Sequence, residues 1–292
     1  MTLPEGGAPP RSLPRGLASI VEALELRQAR LVDIADLEAI RVAAGLRTPA
    51  NVLAARVRGH GWLLPTARRG VYEFAPGAHA RAFSRGDLTL PLQAALHDRP
   101  ELVAGLTLQS AAWALGAADR SPARLEVAAG DAKTRAVLVR ALGEQARVTV
   151  FAPRLRWLHR RGAPVLAPAS LLVHLAARPR DVRSWSSVTE WLPDVAAEVV
   201  LGDLRQELSG RPASVAVRAG YLLSGLRPDL VEQLPPVSPG KVWFGPRGPL
   251  LRHDYRWQVA DTLLPFDPRA LPSVAPEPSG PSAQSGPSPS EP

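Results

Sequence analysis

Between residues 14 and 74 the apolar positions change period several times along the chain. Leu17, Ile20, Val21 and Leu24 recur at helical spacing and predict a helix over 14–26. Arg30 to Ile34 reads as a short strand. Its Asp33 is placed to cap a helix over about 35–44, which presents Leu37, Ile40 and Val42 and stops at Gly45. Thr48-Pro49 then signals a new helix, a hydroxyl N-cap followed by proline at the first helical position. This helix should run to about Arg58 and end at Gly59. It should bury Val52, Leu53 and Val57 and turn Asn51, Ala54, Ala55 and Arg58 outward. Two strands, 62–64 and 71–74, follow around a turn holding Arg68, Arg69 and Gly70. Helix, short strand, helix, turn, helix and basic hairpin is the order of a winged helix-turn-helix.

Residues 86–271 mix both periods. Helical runs are expected at 91–97, 107–117 (Leu108, Ala111, Ala112 and Leu115 on one face), about 132–142, 168–177, 187–200, 203–209 and 213–224. Strand candidates are 124–128, 147–152 and 154–158, with a late hairpin formed by 241–244 and 250–257 around Gly245 to Gly248. The predicted fold class is α+β: an N-terminal winged helix-turn-helix over 13–85, followed by a mixed α/β domain over 86–271. Residues 1–12 and 272–292 are rich in Pro, Gly and Ser, lack aromatic residues, and read as disordered tails.

Charge sharpens this picture. The chain of 292 residues carries a formal net charge of +8 with a pI near 10.9, and only Lys133 and Lys241 are lysines. An arginine-rich chain of this kind favours an anionic partner, nucleic acid before membrane. The excess is concentrated: Arg41, Arg47, Arg56, Arg58, Arg68, Arg69, Arg81 and Arg85 face a single acid, Glu73, between residues 41 and 85. In a winged helix the third helix enters the major groove, where Asn matches adenine and Arg matches guanine. The expected DNA contacts are therefore Arg47 and Thr48 at the start of that helix, then Asn51, Ala55 and Arg58 along it. Arg68 and Arg69 of the hairpin suit phosphates. A second basic and aromatic cluster, Arg154, Arg156, His159, Arg160 and Arg161 around Trp157, reads either as a nucleic-acid surface or as a charged edge strand that resists aggregation.

Chemistry is harder to find. With no cysteine, disulfide scaffolds, thiolate metal sites and cysteine nucleophiles are excluded. The six histidines show no metal-ligand spacing, and His253-Asp254 lacks further ligands. His174 sits in an apolar run and reads as a packed core residue. Asp194/Glu198 and Asp203/Glu207 fit a solvated helix face. Phosphate loops and nucleophile elbows are absent. The expectation is a protein that is not an enzyme, with no cofactor and no metal. Residues 1–14 lack a signal-peptide core, and residues 162–177 are too short to span a bilayer, so no membrane partner and a cytoplasmic location are expected.

The segment "GHGWLLPTARRGVYEFAP" (59–76) resembles the hairpin of the AbiEi-family antitoxin N-terminal domain. The segments "LTLQSAAWALGAADRSP" (106–122), "ASLLVHLAARP" (169–179) and "LSGRPASVAVRAGYLLSG" (208–225) resemble that family's C-terminal domain. The resemblance spans about residues 14–265 and is nearest to two-domain actinobacterial members. It implies an antitoxin of a type IV toxin–antitoxin, or abortive-infection, system that binds double-stranded DNA at repeats in its own promoter and represses its operon. It also implies a nucleotidyltransferase-like toxin as functional partner, with no stable complex required. The alternative is a winged-helix transcription regulator whose second domain senses a ligand or a protein and has no toxin partner.

Overall fold

The computed structural model describes residues 13–66, 68–75, 87–234 and 240–275. The tails expected at 1–12 and over most of 272–292, the boundary placed at 85/86, and Arg81 and Arg85 lie outside the described residues. The chain forms two compact units, Met1–Leu166 and Ala167–Pro292. The mixture of helices and strands is that of an α+β protein.

The first unit opens with helix α1 (Arg15–Leu26), strand β1 (Leu31–Asp33), helices α2 (Ile34–Ala43) and α3 (Ala50–Gly59), and strands β2 (Leu63–Pro65) and β3 (Val71–Phe74). Leu17, Ile20, Val21 and Leu24 of α1 are all buried and share a core with Leu37, Ile40, Leu53, Val57, Leu63 and Phe74. The three strands pair antiparallel in the order β1-β3-β2. Asp33 caps α2 in a reciprocal box. Its Oδ1 accepts from the Asp36 N–H at 2.7 Å, and Asp36 accepts from the Asp33 N–H at 3.1 Å.

Three expectations for the helices are corrected. Thr48 is not the cap of α3: the helix begins at Ala50, with Pro49 in the cap position and no side-chain cap bond. A residue before proline is driven out of the helical region, and Thr48 lies in a bend ahead of the helix. The buried stripe of α3 is Ala50, Leu53, Ala54 and Val57, an i, i+3, i+4, i+7 set, so Ala54 turns inward and Val52 outward. Val42 of α2 is likewise exposed.

The same unit continues with α4 (Leu90–Asp98), β4 (Ala104–Leu106), α5 (Leu108–Leu115), β5 (Leu125–Ala129), α6 (Ala132–Leu142), β6 (Ala146–Val150), β7 (Leu158–Arg160) and β8 (Ala163–Val165). Five strands form one sheet in the order β6-β5-β4-β8-β7. Strands β4 and β8 carry no alternation and were not expected. β4 is buried on both faces, which removes the polar half of the pattern. The strand expected at 154–158 forms instead at 158–160. Arg161 and Gly162, both at positive φ, make the two-residue turn that sets its pairing with β8. Gly105 admits a close approach: a Cβ there would lie 2.6 Å from the Pro164 carbonyl oxygen and from the Trp157 ring.

The second unit is mainly helical: α7 (Pro168–Ala177), α8 (Trp185–Ala197), α9 (Leu201–Leu208), α10 (Ala213–Leu223) and the short α11 (Pro228–Val231). Strands β9 (Val242–Phe244), β10 (Arg252–Asp254) and β11 (Val259–Asp261) form a sheet in the order β10-β11-β9. The expected late hairpin is corrected. β9 pairs parallel with β11, while β10 makes the antiparallel pair with β11. The anchor is Asp261, fully buried, which accepts from the Tyr221 hydroxyl at 3.0 Å and from the N–H groups of Leu263 and Leu264 at 2.9 Å. Glu207 also departs from the expected solvated face. It is fully buried, accepts from the Ser170 hydroxyl at 2.8 Å, and pairs with Arg211.

Candidate nucleic-acid interface

Helix α3 stands between a tight connection from α2 and the β2–β3 hairpin. Arg41 makes the first of these rigid. Its guanidinium holds Glu38 at 2.6 and 2.8 Å and donates to the Leu46 carbonyl at 2.6 Å. Arg41 is therefore spent on structure, and Glu38 is held below the usual carboxylate range by that guanidinium. Beyond it the outward face of α3 presents Asn51, Ala55 and Arg58, with Arg47 exposed before the helix and Thr48 half-buried. Arg56, which the pattern did not single out, is exposed on the same helix. Asn51 is partly committed, since its Oδ1 accepts from the Val52 N–H at 2.9 Å. Among the described residues, no ion pair engages Arg47, Arg56, Arg58 or Arg69.

The hairpin turn is held by Thr66, whose hydroxyl donates to the Val71 carbonyl at 2.8 Å and accepts from the Arg68 N–H at 3.1 Å. Gly70, at φ +83°, closes the turn in a backbone region that favours glycine. The two hairpin arginines then differ. Arg69 is exposed. Arg68 pairs with Asp98 at the end of α4, and its Nε is buried with no hydrogen-bond partner among the described residues. Neither Asp98 nor this pairing was legible from sequence, because the two residues are far apart in the chain.

Two further pairs join α4 to the helical region. Arg30 pairs with Asp87 just before α4, and His97 lies 3.1 Å from Asp33. Asp33, Asp36 and His97 bring donor atoms within 4.8 Å of one another, a geometry compatible with a cation. Those atoms are already engaged in the helix cap and the histidine contact. Burial opposes ionisation of Asp33, yet the Asp36 N–H and the His97 ring outweigh it and hold the carboxyl below its usual value.

The second basic cluster runs from the segment before β7 through that edge strand of the five-stranded sheet and into its turn. Arg154, Arg156, His159, Arg160 and Arg161 are all exposed, and β7 is the outermost strand. Its aromatic partners are not free platforms. Trp157 packs over Gly105, and the Arg161 guanidinium sits 4.3 Å above the Trp113 ring. Asp254, of the His253-Asp254 pair, is buried and accepts from the Trp257 N–H at 2.7 Å, while His253 stacks edgewise on Tyr255. Among the described residues no helix is long and apolar enough to cross a membrane.

Comparison with known proteins finds likenesses for the whole chain and for part of it. The chain is similar to the RV2827C protein from Mycobacterium tuberculosis, whose crystal structure is 27% identical in sequence. The likeness covers 89% of this chain and 95% of that one with a TM-score of 0.68. No curated protein matches the chain. Residues 103–225 match the family model of the AbiEi antitoxin C-terminal domain, a span running from β4 through α10. Three of the four segments that resembled that family lie within it, and the hairpin segment 59–76 lies before it. By this match residues 103–225 are similar to the AbiEi antitoxin C-terminal domain.

Proposed function

We propose that the chain is a DNA-binding autorepressor and the antitoxin of a type IV, abortive-infection toxin–antitoxin system. On this reading residues 13–85 are a winged helix that docks on double-stranded DNA at repeats in its own promoter. Residues 86–271 counter a nucleotidyltransferase-like toxin without requiring a stable complex. The observation that carries the DNA reading is the outward face of α3 beside the hairpin. Arg47, Arg58 and Arg69 are exposed there without internal counter-charges among the described residues, and Asn51 and Ala55 lie between them. Arginine and asparagine match base edges in the major groove, and the small Ala55 admits close approach. The antitoxin half rests on the family match of residues 103–225.

The test is fluorescence anisotropy of the full chain on promoter duplex and on scrambled duplex. Arg69→Ala should weaken binding to both and lower the salt slope by about 1. Asn51→Ala should change the ratio between the two duplexes. Absence of binding to either duplex at low salt, in a folded preparation, would remove the DNA reading. The antitoxin reading fails if co-expression does not relieve growth arrest caused by a nucleotidyltransferase-like toxin.

A further inference from the structure

Arg68 occupies an unusual position for a hairpin arginine. Its charge is directed onto Asp98, the last residue of α4, and its Nε is buried and left without a hydrogen-bond partner among the described residues. A buried donor without a partner costs free energy. A carboxylate and a backbone phosphodiester each offer two charged oxygens to the guanidinium fork, and either can be taken bidentately, so the one can replace the other. Beside this pair opens a crevice of about 330 Å³ between the end of β2, α4 and α6. Thr66 and Arg68 line it from the hairpin, Ala94 and Ala95 from α4, and Arg140 and Gln145 from α6 and the turn after it. Two guanidiniums thus border one crevice, and the anion paired with Arg68 belongs to the protein itself.

Asp98 shares the anchoring of α4 with other pairs. Arg30–Asp87 and His97–Asp33 join the same helix region to the α1–β1 and β1–α2 connections. Arg99, the next residue, is also near Asp98, at 3.7 Å.

We propose that Asp98 stands in for a DNA backbone phosphate on Arg68. DNA engages this arginine by displacing the carboxylate, and the displacing phosphate enters the crevice between Arg68 and Arg140. The inference rests on the DNA-binding reading above and adds to it an internal competitor and an additional contact residue, Arg140. Since the competition is for a phosphate contact, it lowers affinity for every sequence alike and keeps occupancy of non-specific DNA down.

The experiment measures anisotropy of the full-length chain on a promoter duplex and on a scrambled duplex across a salt series. The variants are Asp98→Asn, Arg68→Ala, their double mutant, Arg140→Ala and, as a control, Arg69→Ala. Thermal melting verifies that each is folded. Asp98→Asn should bind both duplexes about three- to fivefold more tightly, the upper range for an exposed ion pair. That gain should vanish in the double mutant, because it acts through Arg68. Arg140→Ala should weaken binding and lower the salt slope by about 1. If Arg69→Ala weakens binding while Asp98→Asn gains nothing, the stand-in role is overturned and the DNA reading survives. A gain that persists without Arg68 also overturns it, since Asp98 would then act only as a nearby repelling charge. An Arg140→Ala variant that binds as the parent does overturns the crevice as the phosphate's place. If neither the parent nor Asp98→Asn binds either duplex at low salt, both readings fall together.

Discussion

His174 illustrates how much a single buried residue determines. It lies in α7, fully shielded from water, 3.8 Å from the Asp181 carboxylate. Burial pushes its imidazole below the usual value, and Arg178 and Arg211 push the same way, while Asp181 opposes them. In the unfolded chain the ring titrates near 6.5, so below that pH the unfolded state takes up a proton that the folded state refuses. Stability is therefore fully present above about pH 6.5 and declines as pH falls, by roughly 1.4 kcal/mol per unit until the folded value is reached. Urea unfolding at pH 7 and pH 5.5 should register this loss, and His174→Gln should flatten the difference between the two. An unchanged difference in the variant would assign the effect elsewhere. The apolar run around His174 identified it as a core residue from sequence. Glu207 resisted the same reasoning. Its i, i+4 spacing from Asp203 describes a helix face but not what covers that face, and the covering groups, Ser170 and Arg211, come from α7 and from beyond α9.

Helices were more legible than the strands of the five-stranded sheet. Helices such as α1, α6 and α7 repeat their apolar positions often enough to be located nearly to the residue, and the capped start of α2 is written in Asp33. Three-residue strands are too short to show a period, and β4 and β8 are identified only by their neighbours in the sheet. The parallel pairing of β9 with β11 was hidden for a related reason, since proximity in sequence favours a hairpin and β10 competes for the same partner. Where a short strand is buried on both faces, its side chains are set by clearance. Gly105 in β4 is the case in point, as any Cβ would press on the Pro164 carbonyl and the Trp157 ring. One of these contacts is backbone, which cannot rotate away. Gly105→Ala should cost roughly 1–3 kcal/mol, read as a lowered denaturation midpoint. A neutral result would mean that the β4–β8 pairing yields more readily than this geometry implies.

At the scale of the molecule, the net charge of +8 is an uneven sum. Many arginines are consumed by structure. Arg41 closes the α2–α3 connection, Arg227 donates to the carbonyls of Ala196 and Val199, Arg218 donates to that of Trp243, and Arg252 pairs with Asp261. Three arginines beyond residue 86 thus have structural partners without a nucleic acid. The cluster at 154–161 is the main exposed remainder, and two roles compete for it. A single-stranded nucleic-acid surface combines free guanidiniums with ring faces open to base stacking, whereas here Trp157 is packed on β4 and Arg161 lies over Trp113. Protection of a sheet edge requires only charge along an outermost strand, which is where β7 lies. The second role fits the geometry better. Replacing Arg154, Arg156 and Arg160 together by serine should leave the salt slope of DNA binding unchanged within about one phosphate contact. The same variant should self-associate at concentrations where the parent is monodisperse by light scattering, because an uncharged edge exposes unpaired backbone groups to a second chain. A lowered salt slope with no change in association would instead make this edge part of the DNA surface, and the interface would then extend from α3 to β7.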